Sequence, residues 1–338
     1  MLESRIKKIV LTGGPCAGKS TILGDIEDYL VKKGYYVITL NETATQLIKG
    51  NMPPCMDKER VLKFQDIVLK TQLQREEAAL RYAEELVPNE KVIILCDRAV
   101  MDNRAYLETQ EEFDYLLKKN GVDEQQVVHS YDLVIDLIST ATLKKDSYQL
   151  DGIRDESVED AALLDKKTTL AWITHPHLIT VKPTEQIEEK TAIVISEIDK
   201  YLRGIEYNNR QSIPIGGNSE VGYTGEDFRT ALIFNTYLKG DLILTRKTVN
   251  DSSVLFLQQY NTSFQERVIS DSEAVDILCK NSIIFTEEFS ETCFVENGNI
   301  YKIINDGDKC YFDYDKSEDS LEINSDISKK FVKRMEQC

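Results

Sequence analysis

Apolar positions in the first 190 residues gather into short runs at 9–11, 35–40, 91–96, 131–137 and 178–181, and the stretches between them carry apolar residues at helical spacing. Runs of strand length alternating with helices predict a parallel α/β sheet. One predicted helix spans 22–33 and ends at Gly34, which suits a helix C-terminus. A long polar helix from about Lys58 to Glu85 places Phe64, Gln65, Leu69, Gln72 and Leu73 on one side. A boundary helix over 183–202 closes at Gly204.

Beyond it the period shortens. Strands are predicted at 232–238, 242–249, 254–260, 283–289, 301–305 and 309–314, separated by turn residues such as Asn250-Asp251 and Asn297-Gly298-Asn299, with one helix at Asp271–Lys280. Residues 215–227, with Gly216, Gly217, Gly222 and Gly225, read as a flexible loop. The expectation is therefore two domains: 1–203, a kinase-like parallel α/β sheet, and 204–338, a mainly antiparallel α+β domain.

Between the first strand and first helix lies Gly13-Gly14-Pro15-Cys16-Ala17-Gly18-Lys19-Ser20-Thr21, which contains the G-x-x-x-x-G-K-S spacing. Glycines at 13 and 18 allow backbone conformations in which successive N–H groups surround a phosphate, and the helix N-terminus adds its own donors. Lys19 is expected to reach the β- and γ-phosphates of a nucleoside triphosphate, and the Ser20 hydroxyl to take one place on Mg²⁺. A chance match in a glycine-rich turn would lack the apolar strand before it and the helix after it.

Phosphoryl transfer needs positioned charge more than covalent help. The second strand delivers Glu42 and the third delivers Asp97 and Arg98. Asp97 is expected to serve Mg²⁺, directly or through water; its alternative is a helix cap. Glu42 either accepts a proton from water or a substrate hydroxyl, or caps the helix after it. Arg98 either stabilises charge on the transferred group or pairs structurally with Asp102 or Glu42. A charged segment, 144–167, holds Arg154; a basic residue there would close over the phosphates, unless the segment is a solvated helix face.

Charge and cysteines narrow the partners. A formal charge of −17 spread over both halves argues against duplex nucleic acid and leaves only a local patch for anionic lipid. The 7 cysteines show no C-x-x-C pair, so neither a zinc site nor a disulfide framework is expected. The three histidines, His129, His175 and His177, suggest no metal site, and His175 reads as structural. No apolar run is long enough to span a membrane, and no N-terminal signal pattern is present, so a cytoplasmic protein with at most peripheral membrane contact is expected.

Taken together, Leu11 through Ser20, Glu42 with Ala44-Thr45, Phe64-Gln65, Cys96-Asp97-Arg98 with Asp102 and Ala105-Tyr106, Tyr131 through Val134, Arg154, Glu156, Ala161, Asp165, Ala171-Trp172 and His175-Pro176 resemble the P-loop family that includes the TRPL translocation defect protein. The resemblance implies a fold like the nucleoside and thymidylate kinases, GTP or ATP binding, and a lid carrying Arg154. It also implies that a CYTH or triphosphate-tunnel domain follows. The second half resembles a divergent copy at Phe234 through Leu238, Thr245-Arg246-Lys247 and Glu266-Arg267.

Tunnel enzymes open with E-x-E-x-K, whereas this chain offers Glu206-Tyr207-Asn208-Asn209-Arg210, with one carboxylate where two hold metal better. Asp313 and Asp315 either replace part of that metal site or sit solvated on an edge strand. Three functions stay open: an Mg²⁺-dependent NTPase or small-molecule kinase; a nucleotide-gated protein whose second domain holds a phospholipid head group, a phosphorylated small molecule or a protein partner; and a polyphosphate or triphosphate hydrolase.

Overall fold

The structure is a computed structural model, and it describes residues 5–54, 57–143, 157–204, 210–217, 227–239, 242–259, 266–296, 298–306 and 309–315. The chain divides into two compact units between Tyr201 and Leu202.

In the first unit the elements follow in the order β1 (Ile6–Gly13), α1 (Lys19–Lys32), β2 (Tyr36–Leu40), α2 (Thr43–Lys49), α3 (Lys58–Glu85) and β3 (Val92–Asp97). A 3-10 helix (Val100–Tyr106), α4 (Gln110–Lys119), α5 (Glu124–Val128), β4 (Leu133–Leu137), α6 (Thr140–Leu143), α7 (Val158–Trp172), β5 (Leu178–Val181) and α8 (Ile187–Leu202) complete it. The five strands are parallel in the order β2-β3-β1-β4-β5. Strand β1 is central, and the chain order reverses at it, which is where open α/β sheets place ligands.

The central strands β3 and β4 are buried at every position, which explains why their sequences run apolar instead of alternating. Their side chains Val92, Ile94, Cys96 and Val134 pack with Leu69, Ala79 and Ala83 of α3, Phe113 and Leu116 of α4, and Trp172 of α7 in one core. Helix α1 starts at Lys19, three residues before the predicted start, because Gly18 at φ +87° makes the turn into it. Gly34, also at positive φ, follows its end as expected. Helix α8 begins at Ile187, later than position 183.

The second unit is an eight-stranded sheet in the order β10-β9-β8-β7-β11-β12-β13-β6, in which every pairing is antiparallel. Its strands are β6 (Arg210–Gly217), β7 (Phe228–Leu238), β8 (Leu242–Val249), β9 (Ser252–Gln259), β10 (Glu266–Ile269), β11 (Ile283–Glu296), β12 (Asn299–Asp306) and β13 (Lys309–Asp315), with α9 (Asp271–Lys280) between β10 and β11. Helix α9 packs Ala274, Ile277 and Leu278 against Leu238, Leu244, Leu255 and Leu257.

Two expectations change here. Residues 215–217 belong to β6, which pairs with β13, and are not loop. In consequence β13, with Asp313 and Asp315, lies between β12 and β6 and is not an edge strand. Glu206 through Asn209 lie outside the described residues.

The tightest constraint in the first unit sits at the end of β1. Gly13 has φ +138° and faces Leu137 of β4, and a Cβ added there would overlap the Leu137 carbonyl. Gly13→Ala is therefore expected to lower the stability of the first unit by roughly 3 kcal/mol, since both conformation and space are wrong for a side chain. Urea unfolding followed by fluorescence of Trp172, which is fully buried in this unit, measures it. A loss below about 1 kcal/mol would show that the loop has room to move.

Candidate nucleotide site

The 13–18 loop leaves β1 at the centre of the sheet and turns through Cys16 at φ +56° and Gly18 at φ +87° before α1 starts. No side chain caps α1, and its first turn carries no acidic residue, so the N–H groups of that turn are not taken up by a side-chain cap. Ser20 and Thr21 are exposed on that turn, whereas Gly13, Gly14, Pro15, Ala17 and Lys19 are buried.

Three groups from outside the loop hold it. Asp165 of α7 accepts the Gly14 N–H at 2.9 Å, the Ser139 N–H at 3.1 Å and the Thr142 hydroxyl at 2.6 Å. Ser139 donates its hydroxyl to the Pro15 carbonyl at 2.7 Å. Lys190 of α8 donates to the Ala17 carbonyl at 3.0 Å. A Cβ at Gly14 would overlap the Asp165 carboxylate, so the second glycine makes room for this bond.

Lys19 is folded back into the loop, donating to the carbonyls of Gly13 at 2.8 Å and Gly14 at 3.0 Å. Burial, and then the Arg98 guanidinium, push its pKa down to about 7, with Asp97, Glu42 and Asp102 opposing. The charges predicted from three separate strand ends thus act on one ammonium.

Asp97 ends β3 beside Leu11 of β1. It is buried, its Oδ1 has no hydrogen-bond partner, and burial raises its pKa while Lys19 pulls it down. It does not cap the following helix; Asp102 does, accepting the Ala99 N–H at 2.8 Å.

Arg98 is buried at φ +61°. Its Nε lies in ion-pair contact 3.1 Å from Glu42 Oε1 and its Nη1 donates to Asp102 Oδ1 at 3.2 Å, while neither Nε nor Nη2 has a hydrogen-bond partner. Burial works against this cation, but Tyr106, Asp102, Glu42 and Asp97 more than offset it and hold the charge firmly. Both partners proposed for Arg98 are therefore real. They leave one guanidinium edge over.

Glu42 occupies the N-cap position of α2 without a side-chain capping bond; its Oε2 instead accepts the Thr45 hydroxyl at 2.6 Å. Arg154 lies outside the described residues. The three histidines, read from sequence as scattered, gather in one buried aromatic group: His129 lies 6.3 Å from His175, and His175 6.1 Å from His177. His175 accepts the His177 N–H on Nδ1 and meets the Tyr131 carbonyl with Nε2, a structural role.

Sequence reasoning missed Asp136, Ser139 and Lys190, and attached no chemistry to Asp165. Asp136 lies beside Thr12 in the register of β4 and β1, accepts the Thr169 hydroxyl at 2.5 Å, and leaves Oδ1 unpartnered. Burial, and then Asp165, push its pKa up to about 8, so it keeps a proton at neutral pH. An acid interrupting the apolar run Leu133–Leu137 was the available signal. The partners of Lys190 and Asp165 had none, because their contacts span 173 and 151 residues of chain.

Oxygen donors suit a magnesium ion, which binds through one or two carboxylates plus phosphate and water. Ser20 on the first helical turn and the orphaned Asp97 oxygen fit that pattern. Among the described residues no group of three His, Cys, Asp or Glu side chains forms a metal cage, and an ion held jointly with phosphate does not require one.

A parallel sheet with a glycine loop and an open helix N-terminus at its central strand defines a P-loop nucleotide-binding domain. Residues 8–190, more than half of the chain, match the AAA domain, and the chain belongs to that family. No curated protein matches the chain.

The depressed pKa of Lys19 makes nucleotide binding proton-linked. A lysine whose folded pKa is lowered costs stability in full below about pH 7, and that cost is relieved as pH rises toward its ordinary value near 10.5; phosphate anions raise the folded pKa again. Triphosphate binding near pH 8 is expected to take up close to one proton, and near pH 5.5 almost none. Titration calorimetry in two buffers of different ionisation enthalpy reads this directly; identical heats at the higher pH would mean that Lys19 is already charged in the empty site.

Proposed function

We propose that the first unit binds a magnesium-loaded nucleoside triphosphate, GTP or ATP, and carries out kinase-like transfer or hydrolysis of its terminal phosphoryl group. The observation that supports this most is the convergence of Lys19, Glu42, Asp97 and Arg98 at the carboxyl ends of β1, β2 and β3, with an Asp97 oxygen and an Arg98 nitrogen left without protein partners. Buried polar atoms are rarely left unpaired, and those that are mark places where a ligand completes the bonding.

In this reading Lys19 exchanges the Gly13 and Gly14 carbonyls for β- and γ-phosphate oxygens. Arg98 turns its open Nη2 edge to the charge that grows on the transferred group. Glu42, held at Arg98, orients the attacking hydroxyl or water and accepts its proton. Ser20 and Asp97 hold the magnesium ion, which neutralises phosphate charge when bound. The likeness to the TRPL translocation defect family belongs to this proposal, as does Arg154 as a lid residue.

Lys19→Ala is expected to abolish both nucleotide binding and turnover. Arg98→Met is expected to lower turnover about 100-fold while changing nucleotide affinity only a few-fold. Titrations with ATP, GTP and their diphosphates, followed by turnover assays with and without a hydroxyl acceptor, separate the base and the reaction. Tight binding without any Mg²⁺-dependent hydrolysis or transfer would overturn the catalytic reading and leave a nucleotide-binding switch.

A second reading concerns the second unit, whose likeness to a CYTH domain is part of this proposal. One face of its sheet carries a connected polar seam: Asn235 and Tyr237 donate to Glu287 at 2.8 and 2.6 Å, Thr245 donates to Asn235 at 2.7 Å, and Lys247 on the same face is buried. A seam of hydroxyls, an amide and a lysine on one face suits an anionic, phosphorylated ligand, a phospholipid head group or a small molecule, better than an apolar one. Lys247→Met is expected to weaken binding to vesicles containing 20% phosphatidic acid, or to a soluble phosphomonoester, at least tenfold, about 1.4 kcal/mol. Unchanged binding of both would remove the seam from consideration.

A further inference from the structure

Among the polar side chains that helix α3 buries, Gln72 and Glu76 lie one turn apart on the side that also buries Leu69, Ala79 and Ala83. Neither position contributes to an apolar core, and a buried glutamate is retained only where it is fully engaged.

Their bonds run in one direction. Lys8 of β1 donates to Glu76 Oε2 at 3.3 Å, and its ammonium lies 4.3 Å from the centre of the Tyr131 ring. The Tyr131 hydroxyl donates to Glu76 Oε1 at 2.9 Å and accepts the Val100 N–H at 3.3 Å. Gln72 donates to the same Glu76 oxygen at 3.3 Å and to the carbonyl oxygen of Arg98 at 2.8 Å.

The chain of bonds ends on the one residue of the candidate site whose backbone is both left-handed and loaded with a long side chain. Arg98 at φ +61° continues the sheet ladder through its N–H to the Leu11 carbonyl at 3.0 Å, and then turns sharply. A non-glycine residue persists in that region only where its surroundings over-determine it. The N–H is fixed by β1 and the carbonyl by Gln72, so both peptide groups around the turn are pinned.

We propose that Gln72 is a positioning residue for Arg98: its amide, oriented by Glu76, holds the left-handed turn that sets the guanidinium between Glu42 and Asp102. The consequence for phosphoryl chemistry rests on the reading of Arg98 given above; the positioning itself does not. Gln72 touches no reacting atom in this scheme and acts through Arg98.

The test uses the full-length protein with Gln72→Met, which keeps the side-chain length and removes the amide. The first readout is the Arg98 Nε–H signal in a ¹H–¹⁵N spectrum, assigned by its loss in Arg98→Lys. In Gln72→Met it is expected to shift and to exchange with water at least tenfold faster, while the Nε–H of Arg5 stays in place. An unchanged Arg98 signal in folded Gln72→Met overturns the proposal. If Gln72→Met does not fold, Glu76→Gln carries the same comparison, with a smaller change in the same direction expected and an unchanged signal again overturning it.

The second readout is the ratio of triphosphate to diphosphate affinity. Gln72→Met is expected to reduce it by no more than the few-fold that Arg98→Met loses in the wild-type background, about two- to threefold, and not at all in Arg98→Met. Equal losses in the two backgrounds overturn the proposal, since a merely structural glutamine would act without Arg98. A wild-type protein with no triphosphate preference would refute the function proposed for Arg98, and the resonance would still decide whether Gln72 positions it.

Discussion

One carboxylate joins the nucleotide loop to the elements around it. Asp165 accepts the Gly14 and Ser139 N–H groups and the Thr142 hydroxyl, and so joins α7, the end of β4 and the loop after β1 at one point. A glycine-rich loop has more conformational freedom to lose than any other segment, and its own backbone offers few internal bonds to hold it. Charge-assisted hydrogen bonds are about twice as strong as neutral ones, and three converging on one buried acid keep the loop in the shape a phosphate needs. The same acid dictates the glycine at 14, where any side chain would overlap it.

Burial sets the electrostatics above that clamp. The largest influence on Lys19, on Asp97 and on Asp136 alike is loss of water, and neighbouring charges only adjust the outcome. For Lys19 the result is an ammonium that gives up its proton near neutrality, held by two carbonyls. For Asp136 it is an acid that keeps its proton. Arg98 goes the other way: Tyr106, its ion-pair partners Asp102 and Glu42, and Asp97 together outweigh desolvation, so it is the fixed cation of the group. A bound polyanion changes this balance at Lys19 first, because that residue has the weakest hold on its charge.

Much of this was legible in the chain. The loop from Gly13 to Ser20, the strand ends carrying Glu42, Asp97 and Arg98, and the antiparallel character of the second half follow from local spacing, because strand period, turn residues and the glycine pattern are short-range properties. What was missed has a common physical cause. The end of strand β6, residues 215–217, was read as loop because Gly216 and Gly217 are poor strand formers, and it is the pairing of β6 with β13 that places them in the sheet. That pairing also moves Asp313 and Asp315 off the sheet edge. The histidines, 46 to 48 residues apart from His129 to His175 and His177, meet only because β4 and β5 are neighbours.

By itself the sequence determined that this protein has a phosphate loop between a buried strand and a helix, and that acidic and basic residues stand at the ends of the strands beside it. Motif spacing is local, and the carboxyl edge of a parallel sheet is where such strand ends must emerge. Only the tertiary structure decided which of those charges meet, that Arg98 is shared between Glu42 and Asp102 with one edge open, and that Asp165 and Gln72 hold the loop and the arginine from elements far along the chain. Those are contacts between buried polar groups, and their partners are chosen by packing and by the need to satisfy every hydrogen bond away from water.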